Sequence, residues 1–515
     1  MTRDLHSARW MIGRPSGPAI VAILATVVLV FFNLTDYPTP WYDEGSHLHV
    51  PKTLLQYGQY ADYSSEGFRY YGPTIGVGPT VMLPITAMFA AFGVGLLQAR
   101  VVMGLYLLAA LATFFALGRV LSGPRVAWVA TALLLGSGGV ELLFHGRQVL
   151  GEVPGLFFAC AGLALWLGEW ERASVRRLLA VGALLGLAVV TKSQYFIVIA
   201  PALAAGWVLN LVYYRAVPQR VFIVPGLVVG ALFAIWQVVV VVALGPGAFA
   251  DNLALYREAT ASAATVFSRD LMERGLRELL SLKVYLGWLI PIVLYGTAIA
   301  LPRNRDGQRW GQVVLLIGIN LVWYVVASVS WIRYAFLGLS FSALLAARFF
   351  SDLTDGYRID LRGLWTSWRA GAADWPTRAL RIVLLGWLGA MIVVPLARAA
   401  LPIVRPPFNA PAAMAAYLKA EVPADALIET WEPEMGFLTD HRYHFPPQTY
   451  LYRSVSYIWA GGPAPSEGYT FVADEQPDFI LAGEFSKYVH FYPEEWLTDY
   501  HVQTEIGPFT LYRRN

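Results

Sequence analysis

Two neighbouring stretches decide the fold. Ile20-Val21-Ala22-Ile23-Leu24-Ala25-Thr26-Val27-Val28-Leu29-Val30-Phe31-Phe32 carries no charge, and the chain soon reads Trp41-Tyr42-Asp43-Glu44-Gly45-Ser46-His47. The first reads as a membrane helix. The second places two carboxylates among aromatics just beyond it, at the boundary between lipid and water. Arg3, Arg9 and Arg14 precede the apolar run as in a signal peptide, but Pro38, Pro40 and Trp41 follow where small residues would mark a cleavage site. The reading is an uncleaved first transmembrane helix.

The rest of the composition agrees. The 515 residues are 57% hydrophobic and 14% charged, with net charge +3 and mean hydropathy +0.51. A soluble domain carries about 25% charged residues, so a water-soluble fold would lack the charge to cover its surface. The expected class is an α-helical polytopic membrane protein. No nucleic-acid partner is expected. The single cysteine, Cys160, sits in an apolar run, which excludes an intrachain disulfide and argues against a cysteine metal site.

About eleven apolar segments are long enough to predict crossings: 16–34, 98–119, 124–144, 153–170, 177–191, 194–213, 220–244, 283–301, 311–330, 333–350 and 379–401. The stretch 79–96 contains Pro79 and Pro84 and closes on Phe92-Gly93, which suits a partial or interfacial helix. Basic residues gather in alternate connections: Arg3, Arg9 and Arg14; Arg119 and Arg125; Arg172, Arg176 and Arg177; Arg215 and Arg220; Arg303, Arg305 and Arg309; Arg348, Arg358, Arg362, Arg369 and Arg378. Cytoplasmic loops carry this excess. The N-terminus is therefore expected inside and Asp43-Glu44 outside, in a first outer loop over 35–80. A longer outer loop, 245–282, ends in an amphipathic stretch, 271–280, expected on the membrane surface.

Past Pro402 the apolar runs shorten, and strand-like pieces appear at Ala426–Thr430, Asp478–Ala482 and Phe509–Tyr512, with helical spacing over 410–420. The expected organisation is a transmembrane module over 1–402 and a small extracytoplasmic α/β domain over 403–515.

Four outer loops present ionisable groups. The first has Asp43, Glu44, His47, His49, Lys52, Asp62, Glu66 and Arg69; the second His145, Arg147 and Glu152; the third Lys192; the fourth Arg333. Charges at membrane depth face a polar cavity far more often than lipid, and groups of both signs on one face can converge. A carboxylate can take the proton of an attacking hydroxyl, and cations can hold a departing phosphate. Together these suit glycosyl transfer from a lipid-phosphate sugar.

At these residues the chain resembles the GT-C glycosyltransferases, in the branch of the dolichyl-phosphate-mannose protein mannosyltransferases and aminoarabinose transferases (family 39-like). The resemblance covers roughly residues 16–350. It rests on Asp43-Glu44, on Tyr71-Gly72-Pro73…Gly78-Pro79-Thr80…Leu83-Pro84, and on Phe92-Gly93 with Ala99-Arg100. His145-Gly146-Arg147…Glu152-Val153-Pro154 and Gly186-Leu187…Thr191-Lys192 extend it. It implies Asp43 as catalytic base, Glu44 as its orienting neighbour and Glu152 as the second acidic residue. Arg69, Arg147, Lys192 and Arg333 become candidates for the donor phosphate. It also implies a polyprenyl-phosphate-linked sugar as donor, a lipid, glycan or protein acceptor, and an inverting reaction in a bacterial cell membrane. One departure stands out: where many relatives carry Lys-Pro-Pro or His-Pro-Pro, this chain has Val77-Gly78-Pro79.

Other readings compete. Asp43-Glu44 also suits the N-terminus of a helix from Ser46 to Tyr57, and Glu152 the start of a helix at Pro154. Arg147 and Lys192 suit interfacial anchors, and Arg333 an aromatic belt with Trp331 and Tyr334. His47 and His49 are expected to be solvated; no metal site and no cofactor are assigned, and a divalent metal stays open. A transporter or flippase of a lipid-linked substrate is the first alternative function, and a polysaccharide ligase or O-acyltransferase the second.

Overall fold

The computed structural model describes residues 17–70, 77–170, 173–245 and 266–515, with positions 247 and 250 besides. Arg3, Arg9, Arg14, Tyr71-Gly72-Pro73, Arg172 and Arg257 lie outside the described residues.

Each apolar segment folds as a helix, because a chain in lipid must satisfy its backbone N–H and C=O groups internally. The helices are Gly17–Phe31, Leu96–Ser122, Pro124–Gly136, Glu152–Gly168, Val175–Thr191, Gln194–Leu209, Arg220–Leu244, Leu289–Ala300, Arg305–Ala327, Phe336–Leu353 and Trp375–Val404. Six helical stretches among the described residues are long and apolar enough to span a bilayer. The Pro79–Phe92 helix has 14 residues, about 21 Å, short of a hydrocarbon core about 30 Å thick.

Phe336–Leu353 lies at the centre, buried along almost its whole length. Its Gly338, Ser340, Ser342, Ala343, Ala346 and Ala347 let neighbours approach closely. The two hydroxyls donate to the carbonyls one turn back, Ser340 to Phe336 and Ser342 to Gly338. Arg220–Leu244 is the opposite case: Leu227 and Val242 are 69% and 77% exposed, as a lipid-facing helix requires.

The helix Arg269–Leu279 is amphipathic as expected. Its buried residues Leu271, Gly275 and Leu279 fall on one face, and that face packs on the Arg305–Ala327 helix. Its apolar stripe is thus turned to protein.

Beyond Val404 come the helix Ala410–Glu421 and a five-stranded mixed sheet. Two hairpin strands precede it in the first loop, β1 (Ala61–Ser64) and β2 (Gly67–Tyr70). The sheet itself holds β3 (Leu427–Thr430), β4 (Arg442–His444), β5 (Phe479–Ala482), β6 (Tyr500–Ile506) and β7 (Phe509–Arg514). Its order is β4-β3-β5-β7-β6. β3 runs parallel to β4 and β5, with Ile428 opposite Phe479; β7 pairs antiparallel with β5 and β6, with Ile480 opposite Tyr512. The helix Pro433–Leu438 follows β3 and packs on a helix of the first loop, Tyr42–Tyr57.

The loop helix begins at Tyr42, four residues before the expected Ser46, so Asp43 and Glu44 lie in its first turn. Gly45 makes the packing possible: a Cβ there would come 2.3 Å from the Glu434 nitrogen. Polar contacts continue the seam. Lys52 Nζ donates to the Gly436 carbonyl at 3.0 Å and to Asp440 at 2.9 Å. At the hairpin, Ser65 N donates to Tyr443 O at 2.7 Å, and Arg69 Nη1 to Phe445 O at 2.8 Å.

His47 and His49 are both buried, against the expectation of solvated rings, His49 in this seam and His47 against the second loop. His47 Nδ1 donates to Val149 O at 2.6 Å and His49 Nε2 to Pro433 O at 2.7 Å. Desolvation pulls their pKa values down to about 4 and about 3. They are therefore neutral donors to backbone carbonyls.

Candidate active site

Helix ends supply the site. Asp43 is in the first turn of Tyr42–Tyr57, Glu152 opens Glu152–Gly168, and Lys192 caps Val175–Thr191 at its C-terminus. Arg333 lies in the 3-10 turn Ile332–Ala335 that leads into the central helix. Four segments distant in sequence thus meet at one place.

Glu152 is the hub. Its Oε1 accepts from both Lys192 Nζ and Arg333 Nε, while Arg333 Nη1 donates to Asp43 Oδ2 at 2.5 Å. Burying these charges would be costly singly, and two carboxylates against two cations make the cluster neutral. Burial is uneven: the side chains of Glu152, Arg333 and Lys192 are 2%, 5% and 8% exposed, whereas that of Asp43 is 29% exposed. Asp43 is the member that a substrate can reach.

Packing holds the cations in place. The Arg333 guanidinium lies 5.9 Å from the Trp41 ring centre and 5.2 Å from that of Trp331, within cation–π range. Trp41 donates its indole N–H to Gln148. Tyr195 donates to the Glu152 carbonyl at 2.5 Å, and its ring fills the space beside Gly155. Lys192 forms an isolated antiparallel bridge with Val77, and Gly78 N donates to Thr191 O at 2.9 Å. Only glycine fits at 78, since a Cβ there would meet Val190 O at 1.9 Å. The chain segment with no cation of its own is therefore laid against Lys192.

The second Glu152 oxygen, Oε2, is buried without a hydrogen-bond partner. Glu152, Gln194, Tyr195, Asn320, Arg333 and Tyr334 line a small cleft.

Three other candidates are committed elsewhere. Glu44 is fully buried and accepts from Arg100 Nε at 2.9 Å, Arg100 Nη2 at 2.5 Å and Val149 N at 3.1 Å. Arg147 wraps the C-terminal end of Gly17–Phe31, donating to the carbonyls of Leu29, Val30, Phe32, Asn33 and Tyr37. Arg69 pairs with Asp62 at 2.8 Å as well as with the sheet. Among the described residues no group of three or more His, Cys, Asp or Glu is placed to hold a metal ion.

Sequence reasoning gave no site role to Arg100, Trp41 or Tyr195, and placed Trp331 only in an aromatic belt beside Arg333. Arg100 had a signal, a charge inside an apolar segment. Trp41 and Trp331 were visible only as neighbours of Asp43 and Arg333, because their shared contact with one guanidinium depends on which loops meet.

The whole molecule superposes on solved structures. ArnT from Cupriavidus metallidurans, solved bound to undecaprenyl phosphate, matches with TM-score 0.61 and 13% identity over 97% of this chain and 98% of that one. The oligosaccharyltransferase AglB from Archaeoglobus fulgidus, solved with an inhibitory peptide and dolichol phosphate, matches with TM-score 0.55 and 13% identity over 96% and 74%. The chain has the GT-C fold. It is an integral membrane protein with a small sheet region carried on a helical body. No protein-family model and no curated protein sequence matches this chain.

Proposed function

We propose that the protein transfers a sugar from a polyprenyl-phosphate-linked donor to an acceptor hydroxyl, with inversion at the anomeric carbon. One observation carries the reading: Asp43, Glu152, Lys192 and Arg333 converge in a single cluster whose only substantially exposed member is a carboxylate. A GT-C fold is the setting in which such a cluster meets a lipid-linked donor at the bilayer surface.

In this reading Asp43 is the catalytic base. The acceptor oxygen attacks the anomeric carbon, its proton passes to the Asp43 carboxylate, and the bond from that carbon to the phosphate oxygen breaks. The bonding electrons leave with the phosphate, and Arg333 and Lys192 hold the charge that develops on it. Displacement in line inverts the centre. Glu152 positions both cations and touches neither reacting atom. Glu44, held by Arg100, positions the helix that carries Asp43. In this reading the site faces the extracytoplasmic side, opposite the helix ends that carry Arg119, Arg177, Arg305 and Arg378, and the sheet region packs on the helix that carries Asp43.

The test is Asp43→Asn. Purified protein is given a panel of polyprenyl-phosphate sugars and candidate acceptors, and mass spectrometry follows the new linkage. The variant should elute and unfold like the parent and lose about 10²–10⁴ of the rate, the range general-base catalysis supplies. Full activity in the variant, or donor moved across a bilayer with no covalent product, overturns the reading.

A further inference from the structure

Arg333 serves two carboxylates at once, and they are not alike. Nε holds Glu152 inside the protein, where the carboxylate is 2% exposed, and Nη1 holds Asp43 at the rim, where it is 29% exposed. Paired in this way, Asp43 Oδ2 holds one N–H of Arg333 that a bound anion would otherwise receive.

The geometry allows that pairing to be undone without dismantling the site. A guanidinium offers five N–H donors, and Nε is anchored on the buried carboxylate while Trp41 and Trp331 flank the plane. A turn about the Cδ–Nε bond swings Nη1 from one partner to another while Nε stays beside Glu152. A phosphate oxygen competes for the same donor on equal chemical terms, since both are charge-assisted acceptors.

We propose that Arg333 exchanges Asp43 for the donor phosphate. With the site empty the guanidinium neutralises Asp43. When a polyprenyl phosphate seats, Nη1 turns to the phosphate and Asp43 Oδ2 is released. This inference rests on the glycosyl-transfer reading and adds to it a competition between an internal carboxylate and the ligand.

Binding alone tests the exchange, with no need of the sugar or the acceptor. The affinity of undecaprenyl phosphate is measured in nanodiscs for the parent, Asp43→Asn, Arg333→Gln and the double variant, each first shown to be folded by its elution and unfolding profile. Asp43→Ala replaces Asp43→Asn if the latter does not fold. Removal of the competing carboxylate should tighten binding about tenfold, the order of one charge-assisted hydrogen bond. Arg333→Gln should weaken binding, and the double variant should bind like Arg333→Gln alone. Equal or weaker binding by folded Asp43→Asn overturns the exchange while leaving the donor reading in place. A gain that persists without Arg333 overturns it too, because it would then be general charge removal. A parent that binds no undecaprenyl phosphate overturns the donor reading and the exchange with it.

Discussion

Adjacent residues at one helix start have opposite fates. Asp43 reaches the rim of the site, whereas Glu44 points into the protein against Arg100. Glu44→Gln should cost about 3–5 kcal/mol, the range for breaking one half of a buried ion pair. Thermal unfolding in detergent measures that cost, and transfer per folded molecule should fall far less than in Asp43→Asn. Equal losses of transfer would show Glu44 to act at the reacting atoms. The sequence named both acids but could not tell them apart, because the discriminating partner, Arg100, lies in another helix. Arg147 is a similar case. Its charge in a polar loop suggested a phosphate ligand, and only the fold shows five carbonyls at the end of Gly17–Phe31 claiming it.

Among the elements, the apolar helices were legible, since about twenty uncharged residues in a row admit little else. β3, β5 and β7 were legible from their apolar runs. The β1–β2 hairpin, β4 and β6 were not; β6, Tyr-His-Val-Gln-Thr-Glu-Ile, is mostly polar and owes its pairing to β7. The bridge between Val77 and Lys192 was equally hidden, as it joins segments that sequence treats as separate loops. Gly78→Ala tests its worth. The new Cβ would collide with Val190 O and shift Lys192, so transfer should fall roughly 10²-fold, as a misplacement near 1 Å does. Gly230→Ala, where nothing lies within 4 Å of the added atom, should leave the rate unchanged in the same assay. A Gly78→Ala protein with the parent's rate would show the bridge to be dispensable.

Over the whole molecule, the seam between the first loop and the sheet region carries a pH dependence. Glu432 and Glu434 are both buried there, and desolvation raises both above the ordinary 4.5, with the charge of Glu432 pushing Glu434 further. The folded form thus holds protons that the unfolded form releases. Their contribution to stability is fully present below about 4.5 and is lost as pH climbs through the raised values, by up to about 1.4 kcal/mol per pH unit for each group. The unfolding midpoint should fall between pH 5 and pH 8, and Glu434→Gln, which replaces a carboxyl whose Oε2 has no partner, should flatten that fall. An unchanged slope would place the dependence elsewhere. The same seam has a consequence in time. The helix that presents Asp43 rests on Pro433, Gly436 and Asp440, and the hairpin behind it on Tyr443 and Phe445. A ribosome delivers Asp43 early and those supports nearly four hundred residues later, so the helix that carries Asp43 gains this part of its seating only when the chain is almost complete.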